Sequence, residues 1–203
     1  MKRMLDALVS VIGLLLVSPV LAIVAGLVKF TSPGPIFFRQ QRIGRGFQPF
    51  GIYKFRTMVA DAPACGRAIT IGNDPRITRV GRILRKTKLD ELPQLINVLL
   101  GDMSLVGPRP EVAHYVEMFR EDYADILQVR PGITDLASLQ YRDEAAILAR
   151  AENPEEEYVR RILPEKIRLA KQYVRSHSPA TDLRLIGQTV LKLLGDRFRL
   201  QPQ

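Results

Sequence analysis

Apolar and polar positions divide the chain into stretches of different period. Residues 7–28 contain no charged side chain. Fully helical, that run would span about 33 Å, against about 30 Å for the hydrocarbon core of a bilayer. Residues 31–35 (TSPGP) close it with turn formers. Residues 36–39 and 51–55 read as short strands around a polar loop, 42–49. No period is visible over 59–72, where a loop or frayed helix is expected, and Asn73-Asp74-Pro75 is a turn. A basic helix is expected over 76–88. Leu89, Leu92, Leu95, Ile96 and Leu99 then have the spacing of one buried helical face. Gly101 is placed for a left-handed cap. Residues 111–125 predict another helix. Asn153-Pro154, followed by three glutamates, is a strong helix start; that helix is expected to reach Ser176, with a kink at Pro164. In the last segment, 183–200, Leu183, Leu185, Ile186, Val190, Leu191, Leu193 and Leu194 form an apolar stripe beside Arg184, Lys192, Arg197 and Arg199. Such a helix lies in a membrane interface or packs on a core, and both readings stay open. The pattern as a whole predicts a mixed, mostly helical α+β fold.

Three readings compete for the N-terminal run. Lys2 and Arg3 before it, and Val20-Leu21-Ala22 within it, loosely resemble a secretory signal, but the run continues past that site. The second reading is a single spanning helix. The third is a re-entrant helix that enters and leaves one face. Ser18-Pro19 lies near the middle. Pro19 cannot donate to the Leu15 carbonyl and its ring clashes with that turn, so a kink is expected. The Ser18 hydroxyl can serve the freed carbonyl. Each half would be about 17 Å long, too short to cross alone. Lys2 and Arg3 lie before the run and Lys29, Arg39, Arg42 and Arg45 after it, which favours both ends on the cytoplasmic side. The residues alone leave spanning and re-entrant forms open.

Candidate chemistry centres on Asp90 and Glu91, adjacent acids at the expected start of a helix. They suit a carboxylate nucleophile or a metal ligand acting on phosphates. Thr87 before them makes a capping-box-like pattern, and acids in a first turn also simply favour the helix dipole. The preceding Arg76, Arg79, Arg82, Arg85, Lys86 and Lys88 are placed to depress the pKa of both acids and to attract phosphate, or else form a solvated face. In the 42–49 loop, Arg42, Gly44, Arg45 and Gly46 could hold a phosphate or lie on lipid headgroups. Tyr53-Lys54-Phe55-Arg56 would put Lys54 and Arg56 on one strand face. Arg130-Pro131-Gly132-Ile133-Thr134 reads as a rigid turn presenting an arginine and free amides.

Composition narrows this further. The 203 residues carry 30 Lys and Arg against 21 Asp and Glu, a formal charge of +9, which suggests anionic partners. One cysteine, Cys65, excludes an internal disulfide, and with only two histidines it excludes a zinc constellation. His114 and His177 read as surface residues.

KFRTM (54–58), LDELPQLINVLLGDMSLVGPRP (89–110) and RPGIT (130–134) occur in that order behind one hydrophobic segment carrying Ser-Pro. In this the chain closely resembles the small monotopic phosphoglycosyl transferases of bacteria, also called bacterial sugar transferases. The resemblance implies transfer of a sugar 1-phosphate from a UDP-sugar to a membrane polyprenol phosphate, with undecaprenyl phosphate the expected carrier, giving UMP and a polyprenol diphosphate-sugar. It implies Asp90 and Glu91 as the catalytic dyad, Asp90 forming a covalent phosphosugar intermediate, both acids near Mg²⁺. It makes Lys54, Arg56, Arg109 and Arg130 candidates for binding substrate phosphates, with structural ion pairing as the alternative for each. It implies a re-entrant membrane helix over 1–30 broken at Ser18-Pro19. A catalytic domain over 31–203, with short strands and interfacial amphipathic helices, would lie on the cytoplasmic face of the inner membrane. Inner-membrane lipid is then a partner, nucleic acid is not, and homo-oligomers stay open. Many family members follow the RPGIT turn with a Gly-Trp-Ala-Gln-type run; here Asp135-Leu136-Ala137-Ser138 and the residues to Arg142 replace it. The rival reading is a non-catalytic membrane-bound assembly or scaffold protein, which gives no reason for the acid pair; a nucleic-acid binder is suggested by charge alone.

Overall fold

The computed structural model describes residues 2–59, 74–141 and 144–198, with 193–198 in backbone only. Cys65, Asn73, Arg142, Arg199 and the loop expected over 60–72 lie outside the described residues, as do the side chains of Leu193, Leu194 and Arg197. The described part is mostly helical, with two small two-stranded sheets.

The first sheet pairs β1 (Phe37–Ile43) with β2 (Pro49–Phe55), antiparallel. Phe38 faces Lys54 and Arg42 faces Phe50, so these side chains share one face. The loop expected over 42–49 shrinks to 44–48, because both strands extend further than their apolar residues indicate. Its amides are not free for a phosphate: Gly44 N donates to Gln48 O and Gly46 N to Leu127 O, both at 2.8 Å.

Thr78 caps α2 (Arg79–Thr87), accepting from Gly81 N at 2.9 Å. Lys88 ends it in the left-handed region, φ 59°. Leu89–Glu91 then forms one 3₁₀ turn, and α3 (Gln94–Leu100) begins after Pro93. Asp90 and Glu91 therefore sit between two helices, not in the first turn of an amphipathic helix. Thr87 is no capping box either; its hydroxyl donates back to Ile83 O at 2.9 Å. The expected left-handed cap at Gly101 is present, φ 96°.

The buried face of α3 is also not the apolar one. Gln94, Asn97 and Val98 face inward, whereas Leu99 and Leu100 are exposed, the latter by 63%. Asn97 earns its buried place through bonds to β2: its Oδ1 accepts from Tyr53 N at 2.9 Å and its Nδ2 donates to Gly51 O at 2.8 Å.

The second sheet pairs β3 (Ser104–Val106) with β4 (Gly132–Thr134), parallel. The RPGIT stretch is thus strand, not a turn with open amides. Ser104 N donates to Pro131 O at 2.8 Å and Gly132 N to Pro108 O at 2.9 Å. Gly107 and Gly132 allow this approach: a Cβ on Gly132 would lie 2.1 Å from Gly107 N.

The helix expected over 111–125 divides into α4 (Ala113–Met118) and α5 (Arg120–Ile126), because Phe119 leaves helical geometry. Asp135 caps α6 (Leu136–Gln140), and α7 (Glu144–Leu148) follows. Asn153 and Pro154 start α8 (Pro154–Glu157) as expected. A π turn, Tyr158–Ile162, leads into α9 (Leu163–Ser176). That wide turn precedes Pro164, which cannot complete regular α bonding. Tyr115, Tyr123, Leu148, Ile162 and Leu163 form the largest buried cluster. The last helix, α10 (Pro179–Phe198), does two things at once. Leu185 packs on Val106 and Tyr173, while Leu183 and Leu191 are largely exposed, 71% and 70%.

The N-terminal run is one helix, α1 (Lys2–Thr31), with Pro19 inside it. Ser18 Oγ donates to Leu15 O at 2.8 Å, the carbonyl that Pro19 leaves unserved. The expected break is therefore a missing backbone bond made good by a hydroxyl, with the helix itself continuous. By length and composition α1 suffices to cross a membrane. It is packed mainly at its ends: Asp6 and Ser10 are buried at one, Val24 and Val28 at the other, and Leu15, Leu16, Val20 and Ile23 between them are exposed. Polar bonds fix both ends. Lys2 Nζ reaches Val106 O at 3.1 Å and ion-pairs with Asp182. Arg3 donates to the Val98 and Leu99 carbonyls at the end of α3. Asp6 accepts from Ser104 Oγ at 2.8 Å and from Leu105 N at 3.3 Å. At the far end Arg56 Nη2 donates to Val28 O at 3.1 Å and Ser32 O at 2.7 Å.

Candidate active site

The 3₁₀ turn between α2 and α3 points its two acids into different surroundings. Glu91 lies in a fork of cations. Lys54 Nζ is 2.9 Å from its Oε1, and Arg109 reaches both oxygens, Oε2 at 3.3 Å and Oε1 more closely. Burial alone would raise the Glu91 pKa, but Arg109 and Lys54 together hold it well below the usual carboxylate range. Glu91 in turn raises Arg109 further, and burial lowers Lys54 despite its acid partner.

Asp90 is 6% exposed and its Oδ1 has no hydrogen-bond partner. Burial raises its pKa, and the neighbouring Glu91 charge adds to this; Lys54, Lys88 and Arg85 pull the other way without prevailing. The basic run thus does not depress both acids. It coexists with one strongly ionised glutamate and one aspartate whose charge is disfavoured. One helical turn onward, Gln94 is fully buried with neither amide atom bonded.

A cleft of about 480 Å³ opens beside Glu91, which lines it with Lys88 and Arg109; Asp90 lies next to this lining and is not part of it. Its lining also includes Glu111, a buried acid that the spacing of the motifs did not reveal. Glu111 Oε1 accepts from Arg42 Nη1 at 2.7 Å and from Val112 N at 2.9 Å; its Oε2 accepts from the Tyr158 hydroxyl at 2.6 Å. Lys166 donates to that hydroxyl at 3.1 Å and to Glu144 Oε2 at 3.0 Å. Burial would raise the Glu111 pKa, yet Arg42 and Lys166 bring it below its ordinary value. The one signal in the sequence was an acid directly after the Gly-Pro-Arg-Pro turn.

Of the four basic residues singled out from the sequence, Lys54 and Arg109 meet at Glu91. Arg56 and Arg130 do not join them. Arg56 is buried under the end of α1, and its strand face ends at Phe55. Arg130 Nε donates to Gly101 O at 2.7 Å. Among the described residues no three acids, histidines or cysteines converge as a metal cage. Mg²⁺ does not need one, since one or two carboxylates with substrate phosphates suffice. The buried, unpartnered Asp90 oxygen has the chemistry for that role, whereas both Glu91 oxygens are already held by cations. The arrangement can therefore offer one carboxylate oxygen to phosphorus or metal, beside surplus positive charge for a diphosphate.

The sequence profile of the bacterial sugar transferase family matches residues 1–196. The chain is 39% identical over 196 residues to the UDP-glucose:undecaprenyl-phosphate glucose-1-phosphate transferase of Escherichia coli (strain K12), covering 95% of this chain and 40% of that protein. It is 45% identical over 141 residues to the UDP-N-acetylgalactosamine-undecaprenyl-phosphate N-acetylgalactosaminephosphotransferase of Aeromonas hydrophila, covering 68% and 33% respectively. A Caulobacter vibrioides protein with the same name as the Escherichia coli one is 39% identical over 198 residues, covering 95% of this chain and 69% of that protein. The chain thus spans two fifths or less of the first two relatives.

Proposed function

Since the chain belongs to the bacterial sugar transferase family, we propose that it transfers a sugar 1-phosphate from a UDP-sugar to a polyprenol phosphate in the inner membrane. Undecaprenyl phosphate is the carrier in the relatives' names. The observation that carries the reading is the asymmetry of the dyad: one buried carboxylate oxygen without a partner beside a glutamate held by two cations.

In the first step an Asp90 carboxylate oxygen bonds to the phosphorus bearing the sugar. The bond from that phosphorus to the bridging oxygen breaks, and UMP leaves. In the second step a phosphate oxygen of the polyprenol phosphate attacks the same phosphorus and displaces Asp90, giving polyprenol diphosphate-sugar. Glu91 keeps Lys54 and Arg109 fixed so that their remaining donors meet the diphosphate, and Lys88 and Arg85 add to the positive field. Asp90 would hold Mg²⁺ together with substrate phosphates, and the ion, when bound, neutralises charge that develops on the diphosphate.

The helix α1 is read as re-entrant, with the domain on the cytoplasmic face. Both of its ends are bonded to one body while Leu15, Leu16 and Val20 between them are exposed, and a spanning helix would carry one end away from that body. The exposed apolar residues of α10 and α3 suit the lipid surface.

UMP release from UDP-sugars tests the reading. Asp90→Asn, folded, should release none, and mass spectrometry of wild type starved of acceptor should find a phosphosugar on Asp90. Normal turnover by that variant would rule out the nucleophile.

A further inference from the structure

One residue of the cleft lining has a buried hydroxyl with nothing to bind. Ser138 lines the cleft, and its Oγ is buried without a hydrogen-bond partner. Its backbone is clamped on both sides. Ser138 N donates to Asp135 Oδ1 at 2.7 Å, and the other oxygen of Asp135 accepts from Arg109 N at 3.2 Å. The next residue, Leu139, has its carbonyl bonded by Lys192 of α10. Arg109 carries the cation that holds Glu91, so a short run of fixed backbone ties the Ser138 hydroxyl to the dyad.

A buried hydroxyl without a partner costs free energy that burial of a methyl group would not. A ligand that supplies a partner to it removes that cost. Phosphates have nearer and stronger partners in the cations around Glu91. A neutral hydroxyl suits a neutral polar group, either a hydroxyl of the sugar or a carbonyl of the base.

Resting on the proposed transferase activity, we infer that Ser138 is a donor-binding residue that hydrogen-bonds a neutral group of the UDP-sugar. It contributes to affinity and to the choice of donor. Because that bond is made equally before and during reaction, it acts on KM and leaves kcat alone.

The test is Ser138→Ala in the full chain reconstituted in lipid nanodiscs, with melting temperature, donor kinetics and calorimetric binding of UMP and UDP-sugars. The variant should melt at or above the wild-type temperature, since an unpaired hydroxyl is removed. Its donor KM should rise about three- to tenfold with kcat within about twofold. If UMP binding weakens as well, the hydroxyl meets the base; if only the UDP-sugar weakens, it meets the sugar. Equal binding and equal KM in variant and wild type would overturn the assignment of Ser138 alone. Wild type that binds nucleotides but releases no UMP would instead sink the transferase reading, and the binding comparison would still decide Ser138. Wild type that binds none of them overturns both.

Discussion

Two glutamates line one cleft, Glu111 buried and Glu91 half-buried, and they differ in what surrounds them. Glu111 belongs to a closed set: Arg42, Val112 N and Tyr158 account for both of its oxygens, and Lys166 joins Tyr158 to Glu144. Glu91 is equally well held by Lys54 and Arg109, but its set does not close. Next to it Asp90 keeps an unpartnered oxygen, and Arg85 and Lys88 supply further positive charge. A network that satisfies itself is structural material. One left with a spare acceptor and surplus cations is arranged for something not yet present.

Four substitutions or conditions separate the two sets. Asp90→Asn should reduce turnover by about 10⁴-fold or more, as loss of a covalent nucleophile does. The melting temperature should hold or rise, since the lost charge is one that burial disfavours. A melting temperature that falls sharply would place Asp90 with the structural set. Glu111→Ala should do the reverse. Arg42 would be left without its acid, at a cost of about 3–5 kcal/mol, and the melting temperature should drop by about 10 °C. The folded fraction should still turn over within a few-fold of wild type. Comparable loss of activity per folded molecule would erase the distinction. Arg109→Ala should lower kcat/KM by about 100-fold, the usual effect of removing one charge-stabilising donor, and should raise the Glu91 pKa.

The smallest effect is the most direct comparison of the adjacent acids. Glu91 has a depressed folded pKa, so its contribution to stability is complete above its unfolded value. It is lost only as pH falls through the lower folded one. Asp90 has a raised folded pKa, and the proposed chemistry needs it ionised. On acidification turnover should therefore fail from a pH above the ordinary aspartate value of 3.8 while the Glu91 cluster is still intact. Far-ultraviolet circular dichroism recorded beside activity would show this. Loss of both signals together would contradict it.

Where local chemistry decides the structure, the sequence was readable. The Gly101 cap, the Asn153-Pro154 start, the surface histidines and the service of Leu15 O by Ser18 follow from single residues and their neighbours. The acid pair was also recognisable, although its setting was not. A left-handed Lys88 moved the dyad out of α3, and no propensity favours that conformation for lysine. The face of α3 was misread for a different reason. Periodicity assumes that apolar residues seek the protein interior. Here Leu95 packs near Gly13 of α1 and Leu100 faces outward, while Asn97 enters the interior to bond β2. That Arg56 and Arg130 lie apart from Glu91 was not legible, because strand alternation and turn composition say nothing about which distant carbonyl a long side chain will reach. The Glu111 network is wholly tertiary, drawing residues from positions 42 to 166.

The fastening of α1 has a practical consequence for anyone trimming this protein. Deleting the hydrophobic leader to obtain a soluble fragment would remove far more than a tether. The Val98 and Leu99 carbonyls would lose the guanidinium that caps them, Leu105 N would lose the Asp6 carboxylate, and Arg56 would lose the Val28 carbonyl. A shortened version therefore begins life with raw edges on both flanks of the dyad. Detergent or lipid, and an intact first helix, are the conditions under which the remainder is a whole molecule.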